Sequence, residues 1–357
     1  MSSLFKPIKI GEIEIRNRFM RSATTSAYSD EQGIVRTEMI KLYENLAKGG
    51  VGLIVKGHLY VDDRGKAHSG MAGLSNDYHV PKLRELTDSV HLNGAAIFAQ
   101  LNFGGYQASM GERMGPSNYK GKDWAAREMT ESEIWEIIES YGAAATRAVE
   151  ARFDGVQIHA AHGYLVSEFL SKHANTRNDM WGGDLSNRTR FLREVHDEIR
   201  GKIGSEIPIG MKMNCDDFSP DGFTVEEAVV VSESMANRGI NLIEVSAGGI
   251  GQEDKYRDRV RSSDPALAEA TFAGACEKIR PGTMPKVLAL VNGIRSISTM
   301  KALVDRGICD VISMSRPLIR KPDLINQLQA GISGSDCTSC DACEALFGKE
   351  ILRCLLE

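Results

Sequence analysis

The sequence predicts an α/β protein folded as a closed (β/α)8 TIM barrel, and three observations carry that reading. Short apolar runs recur eight times along the 357 residues, each followed by a longer stretch with helical periodicity. The runs are apolar throughout instead of alternating, as strands buried on both faces of a parallel sheet must be. No low-complexity linker or charge block divides the chain, so the units form one body. A doubly wound open sheet is the second reading, but eight strand–helix units without a break point to closure.

The elements follow in order. Residues 18–23, 51–56, 95–101, 155–159, 207–213, 241–246, 286–291 and 310–314 are the strand candidates. After the third run, Ile134, Ile137, Ile138, Tyr141 and Ala145 share one helical face, and Thr130 with Glu133 gives the capping-box signature that starts the helix. Phe191, Leu192, Val195 and Ile199 mark the helix after the fourth run, and Thr224 with Glu227 repeats the capping signature after the fifth.

Composition narrows the function classes. With 43 basic against 48 acidic residues the net charge is -5, which lacks the basic footprint of a nucleic-acid binder. No run approaches the roughly 18 apolar residues of a membrane span, and MSSLFKPIKI has no continuous apolar core like a signal peptide's. The expectation is a cytoplasmic protein with neither nucleic-acid nor membrane partners. Of seven cysteines, Cys215, Cys276 and Cys309 are scattered, whereas Cys337-x2-Cys340-x2-Cys343-x10-Cys354 crowds into the C-terminal end. That asymmetry suggests a metal site over a disulfide framework. The reading therefore divides the chain into a barrel over 1–332 and a cysteine-containing tail over 333–357.

A barrel assembles its active site at the carboxyl ends of its strands. There the sequence places Thr24 and Thr25, Gly57 and His58, Gln100 and Asn102, His159 and His162, Lys212 and Asn214, Gly248 and Gly249, Gly293, and Ser315 with Arg316. This is a ring of donors around a large ligand. Backbone amides at Gly293 and Ser315, with the Arg316 guanidinium, stand where barrels bind phosphate. A bare His-x-x-His pair is more often structural than functional, and as a metal site it lacks the i, i+4 spacing and a third ligand. Lys212, alone an ordinary solvated charge, ends the apolar run IPIGMK. Arg177, Asn178, Trp181 and Arg188 read as scaffold.

One stretch, FDGVQIHAAHGYLVSEFLSKHANTRNDMWGGDLSNRTRF at 153–191, carries a resemblance that NRFMRSAT at 17–24, IFAQLNFGG at 97–105 and SRPLIRKPDL at 315–324 support. The whole chain resembles the old yellow enzyme family of FMN-dependent NADH:flavin oxidoreductases and ene-reductases. The resemblance implies that NAD(P)H reduces bound FMN, which passes hydride from N5 to an activated C=C bond in a small enone, enal or enoyl compound. It implies a homo-oligomer as well.

Roles carry over residue by residue. His159 and His162 match the pair that hydrogen-bonds the substrate carbonyl, and Tyr164 matches the proton donor to the α-carbon. Thr25 matches the group beside flavin O4, Gln100 the amide on the pyrimidine edge, and Gly57, Gly293, Ser315 and Arg316 complete the cofactor set. Lys212 stands where the family has an arginine beside flavin N1 and O2, keeping the charge without the planar fork. Phe103 and Tyr106 replace a polar residue and an arginine, and so bear on the polarity of the substrate.

The tail resembles the cluster region of 2,4-dienoyl-CoA reductase and trimethylamine dehydrogenase. Four thiolates at Cys337, Cys340, Cys343 and Cys354 suffice for a [4Fe-4S] cluster or a zinc ion, with a metal-free tail as the alternative. The alternative function is an electron-transfer subunit that takes electrons through such a cluster from a separate dehydrogenase, its redox partner protein.

Overall fold

The computed structural model describes residues 2–249, 264–346 and 352–356. Eight parallel strands close into a barrel: β1 (Phe19–Arg21), β2 (Leu53–Tyr60), β3 (Ala96–Asn102), β4 (Gly155–Ala160), β5 (Ile209–Asn214), β6 (Leu242–Ser246), β7 (Val287–Leu290) and β8 (Val311–Met314). Closure is made by β8 on β1, through Ile312 opposite Phe19 and Met314 opposite Arg21. Around it lie α1 (Thr37–Lys48), α2 (Val80–His91), α3 (Glu131–Glu150), α4 (Leu185–Ile203), α5 (Val225–Arg238), α6 (Ala273–Thr283), α7 (Ile297–Asp305) and α8 (Leu324–Gln329). Each expected strand falls on an observed one, because strands walled by helices on one side and by other strands on the other have no wet face to interrupt the apolar run.

Two apolar layers result. Ile54, Ile97, Val156 and Ile243 pack outward with helix residues such as Leu46, Leu83 and Ile137. Leu53, Val55, Phe98, Leu242 and Val311 join Ile10 and Ile15 in a separate cluster. Those two isoleucines belong to an antiparallel hairpin, Ile8–Ile10 with Ile13–Ile15, whose packing against the inner strand residues stops the amino end of the barrel. Polar ligands are thereby left the carboxyl end.

Helix starts behave as the capping signatures require, with one difference. At α3 the Thr130 hydroxyl accepts from the Glu133 N–H, and the Glu133 carboxylate accepts from the Thr130 N–H at 2.8 Å. At α5 Thr224 accepts from the Glu227 N–H, but the Glu227 carboxylate turns away to Arg188 at 2.6 Å and Lys172 at 2.9 Å. The buried Arg188 guanidinium needs a counter-charge more than the helix needs its second cap bond. Arg188 and Trp181 are thus scaffold residues, both fully buried.

β2 runs four residues beyond the expected 51–56, with a register shift between Lys56 and Leu59. Such an irregularity re-aims side chains next to a site, and here it carries His58. Gly57 sits in it because a Cβ would lie 2.4 Å from the Thr24 carbonyl oxygen, so only glycine lets β2 approach the end of β1 this closely. Among the described residues, no helix is long and apolar enough to cross a membrane.

Candidate active site

The carboxyl ends of β1, β4, β5, β6, β7 and β8 surround a cavity of about 390 Å³. A volume of that order suits a cofactor-sized ligand. Its walls bring together Thr25, His162, Lys212, Gly293, Ser315 and Arg316, residues far apart in the sequence. The wall is internally bonded: Thr24 Oγ1 and Ser315 Oγ lie 2.8 Å apart, tying the end of β1 to that of β8.

The turn after β7 is made for close approach. Gly293 has φ +84°, and a Cβ there would stand 1.8 Å from the Glu269 carbonyl oxygen. The Glu269 carboxylate accepts from the Arg295 and Ser296 N–H groups at 2.8 Å, holding that turn against the start of α7. After β8, the short helix Arg316–Arg320 starts at the cavity wall, and Arg21, buried beneath it, donates to the Ser315 carbonyl. Arg316 pairs with Asp341 of the tail, so this cation arrives at the cavity already with one carboxylate.

Opposite stands an aromatic and imidazole wall. His162 occupies the left-handed region at φ 64°, a conformation that costs a non-glycine residue of order 1 kcal/mol. Asn214 holds it there, its Oδ1 accepting the His162 N–H at 3.1 Å, while the ring Nε2 lies 2.8 Å from Ser246 Oγ. His159 is buried with its Nδ1 lacking any partner among the described residues, a polar atom left for a ligand to satisfy. The His159 ring centroid is 4.9 Å from that of Tyr164 and 5.1 Å from that of His162.

Burial sets the protonation of these groups. It pushes the His162 pKa down to about 3, with the Lys212 charge adding to the effect. His159 falls well below its ordinary value for the same first cause, then through His162, His58 and Lys212. Burial raises the Tyr164 phenol to about 12. At neutral pH the wall therefore offers neutral imidazoles and a protonated phenol, which can donate hydrogen bonds or a proton and cannot take up charge cheaply.

His58 completes this wall from β2. Its ring centroid lies 5.0 Å from that of Tyr164, its Nδ1 is 3.0 Å from Asn102 Nδ2, and its Nε2 is 3.3 Å from His68 Nε2 and 3.4 Å from Thr25 Oγ1. Gln100 lies deeper, its amide donating to Gln157 Oε1 at 2.8 Å. Gly57, which packs on Thr24, is also outside the cavity lining, as are His159 and Tyr164, whose wall adjoins it at His162.

One expectation is corrected. Phe103 and Tyr106 are fully buried, Phe103 over Gly65 and the Tyr106 hydroxyl on the Ser117 and Ala174 carbonyls at 2.8 and 3.0 Å; they are scaffold and say nothing of substrate polarity. The cysteines are free thiols that line a second cavity of about 180 Å³, Cys337, Cys340, Cys343 and Cys354 all contributing. Yet among the described residues no group of three or more histidine, cysteine or acidic side chains is gathered closely enough to hold a metal ion. Sequence reasoning also missed Ser246, the partner of His162, and Glu244, buried below Lys212. An acidic residue in the middle of the apolar run NLIEVS was the available signal.

Residues 3–334 match the model of the NADH:flavin oxidoreductase / NADH oxidase family. The chain belongs to that family. Over 332 residues it is 38% identical to an NADPH dehydrogenase of Geobacillus sp. (strain WCH70), covering 89% of this chain and 91% of the relative. A metal reductase of Desulforamulus reducens is 36% identical over 337 residues, 93% of this chain but 49% of that protein. An NADH oxidase of Thermoanaerobacter brockii is likewise matched over 53% of its length, so the chain spans about half the length of the first curated relatives it matches. Among solved structures, a 2-naphthoyl-CoA reductase complex superposes with TM-score 0.91 at 27% identity, covering 99% of this chain and 57% of that one. The old yellow enzyme homologue from Zymomonas mobilis gives 0.78 at 25% identity, covering 94% of both chains.

Proposed function

We propose that this family member is an FMN-dependent NAD(P)H oxidoreductase that reduces the activated C=C bond of an α,β-unsaturated carbonyl compound, with residues 1–332 as the flavin barrel and 333–357 as a cysteine tail. One observation carries the reading. A single cavity has a glycine turn and an arginine at one side and His162 with Lys212 at the other, which is the spacing of demands made by a phosphate and a conjugated ring. The orphaned His159 Nδ1 marks where a polar ligand atom is missing. FMN, when bound, supplies hydride to the alkene after taking it from NAD(P)H.

The protein's own groups do the rest. Gly293, Ser315 and Arg316 hold the phosphate, Thr25, Gly57 and Gln100 bound the ring, and Lys212 offers its ammonium to the electron-rich edge. His159 and His162 donate neutral N–H groups to the substrate carbonyl, stabilising the negative charge that grows on its oxygen. Tyr164, protonated throughout the neutral range, delivers a proton to the α-carbon. The likeness to a reductase crystallised with 2-naphthoyl-CoA supports enoyl thioesters alongside free enones. Anaerobic protein bleached with NADPH or NADH and then mixed with 2-cyclohexenone tests this: reoxidation with formation of the saturated ketone is expected, and a flavin that stays reduced contradicts it.

A second reading, an electron-transfer subunit with a [4Fe-4S] cluster or zinc in the tail, is favoured by one feature. All four tail cysteines line one cavity that shares Arg316, Ile319, Ser339 and Cys343 with the larger one. Electrons from a partner dehydrogenase would then reach the flavin through that shared wall.

A further inference from the structure

Glu244, on β6, is fully buried and has no place in the cavity wall, yet four donor groups among the described residues converge on it. Ser22 Oγ donates to its Oε1 at 2.7 Å and Ser313 Oγ to the same atom at 2.8 Å. Gln157 Nε2 donates to Oε2 at 3.0 Å, and the Lys212 ammonium stands 3.4 Å from Oε1. Three of these four residues are more than bystanders, for Ser22, Ser313 and Lys212 themselves line the cavity.

A carboxylate only accepts, and that fixes the direction of each bond leading away from it. Gln157 must turn its NH2 toward Glu244, leaving its carbonyl oxygen for Gln100. Gln100 must then turn its NH2 toward Gln157, at 2.8 Å, so its own carbonyl oxygen is what remains for a ligand. Lys212 donates to Ser22 Oγ, 2.8 Å away, and its ammonium faces Glu244 Oε1 at 3.4 Å as an ion pair, with its remaining N–H groups free to serve the cavity it lines. Left without Glu244, either amide could flip by exchanging N and O at little cost, and Lys212 would be an uncompensated cation.

We propose that Glu244 is the positioning residue that sets the polarity of the ring-binding site: it makes Gln100 an acceptor and partly opposes the charge of Lys212. The inference rests on the reading of that site as the place of the flavin ring. Its consequence is electrostatic. A flavin carrying negative charge at its N1 edge, as the reduced form or the N5 adduct with sulfite does, is stabilised by Lys212 and opposed by Glu244 in a dry, low-dielectric floor.

The test uses FMN and sulfite as probes on the full chain. Apoprotein titrated with FMN gives a flavin affinity, and holoprotein titrated with sulfite gives an adduct affinity from bleaching of the flavin band, neither of which needs turnover. Glu244→Gln should bind sulfite about tenfold more tightly, the scale of one buried charge-assisted contact, and FMN severalfold more weakly as Gln100 loses its fixed orientation. Combined with Lys212→Met, the same change should still tighten sulfite binding, because Glu244 opposes the anionic adduct directly, while the FMN loss persists. That neutral pair keeps the test intact if the single variant does not fold. Unchanged sulfite and FMN affinities in Glu244→Gln, or a sulfite affinity that the change does not raise in the Lys212→Met background, overturns the proposal with the site reading intact; wild-type apoprotein that takes up no FMN overturns both.

Discussion

The two cavities at the carboxyl end of the barrel share a wall but are held in different ways. The larger one takes its lining from six strand ends, and its polar groups are tied to one another: Thr24 to Ser315, His162 to Ser246, Lys212 to Ser22. The smaller is built mostly from one stretch of tail laid against the helix Arg316–Arg320, anchored by Arg316 to Asp341, by Arg320 to Asp336 at 3.4 Å and by Lys321 to Asp336 at 3.2 Å. Of its four thiols, Cys354 accepts from Arg320 at 3.3 Å; burial pushes its pKa up, but the bonds from Arg320 and the Leu356 backbone together with the Arg320 charge outweigh it and draw the pKa down, whereas burial pushes Cys343 up. Sheet closure fixes the first cavity before any ligand arrives. Partly exposed ion pairs, each worth about 1 kcal/mol or less, fix the second, so a bound metal group would add most of its order.

The largest effect expected is at the first cavity. Tyr164→Phe should slow alkene reduction roughly 10²- to 10⁴-fold, the usual range for a general acid, while flavin reduction by NAD(P)H keeps its rate; stopped-flow traces of the two half-reactions separate them. Equal slowing of both would remove Tyr164 from proton delivery. Next, Arg316→Ala should weaken FMN binding roughly ten- to a hundredfold by loss of a charge-assisted phosphate contact, measured by titration of the apoprotein. It should loosen the tail too, since the same guanidinium holds Asp341.

Acid sharpens the contrast further. His58 and His159 are buried with pKa values held well below the ordinary 6.5, so the unfolded chain binds protons there that the folded one does not. Stability is insensitive to them above about pH 6.5 and should fall below it by roughly 1.4 kcal/mol per pH unit for each. Denaturant midpoints measured from pH 7 to pH 5 check the slope, which His58→Asn should reduce. The smallest effect is reserved for Cys340→Ser. Cys340 lines the tail cavity alone, so FMN content should stay within about twofold while any iron or zinc is lost; a [4Fe-4S] centre would have given about four irons per chain before the change.

What could be read from the sequence follows the same divide. The eight strands were legible because a doubly covered strand writes its burial on every residue, and strand ends then named His162, Lys212, Gly293 and Ser315 as neighbours. The hairpin Ile8–Ile10 with Ile13–Ile15 was not, since three-residue strands are too short for alternation to register. His58 was visible as a strand-end residue, but its place beside Tyr164 depends on the irregularity in β2. Phe103 and Tyr106 misled because position relative to a motif does not say which way a side chain turns. The tail's hold on the helix Arg316–Arg320 lies in ion pairs that no local pattern announces.

The central claim is that the strand-end cavity is an FMN site, and the flavin content of the purified protein tests it most directly. Heat or acid release followed by chromatography should yield one noncovalent FMN per chain, or apoprotein supplied with FMN should reach that ratio. Bound FAD, or protein that stays colourless in excess FMN, would contradict the account.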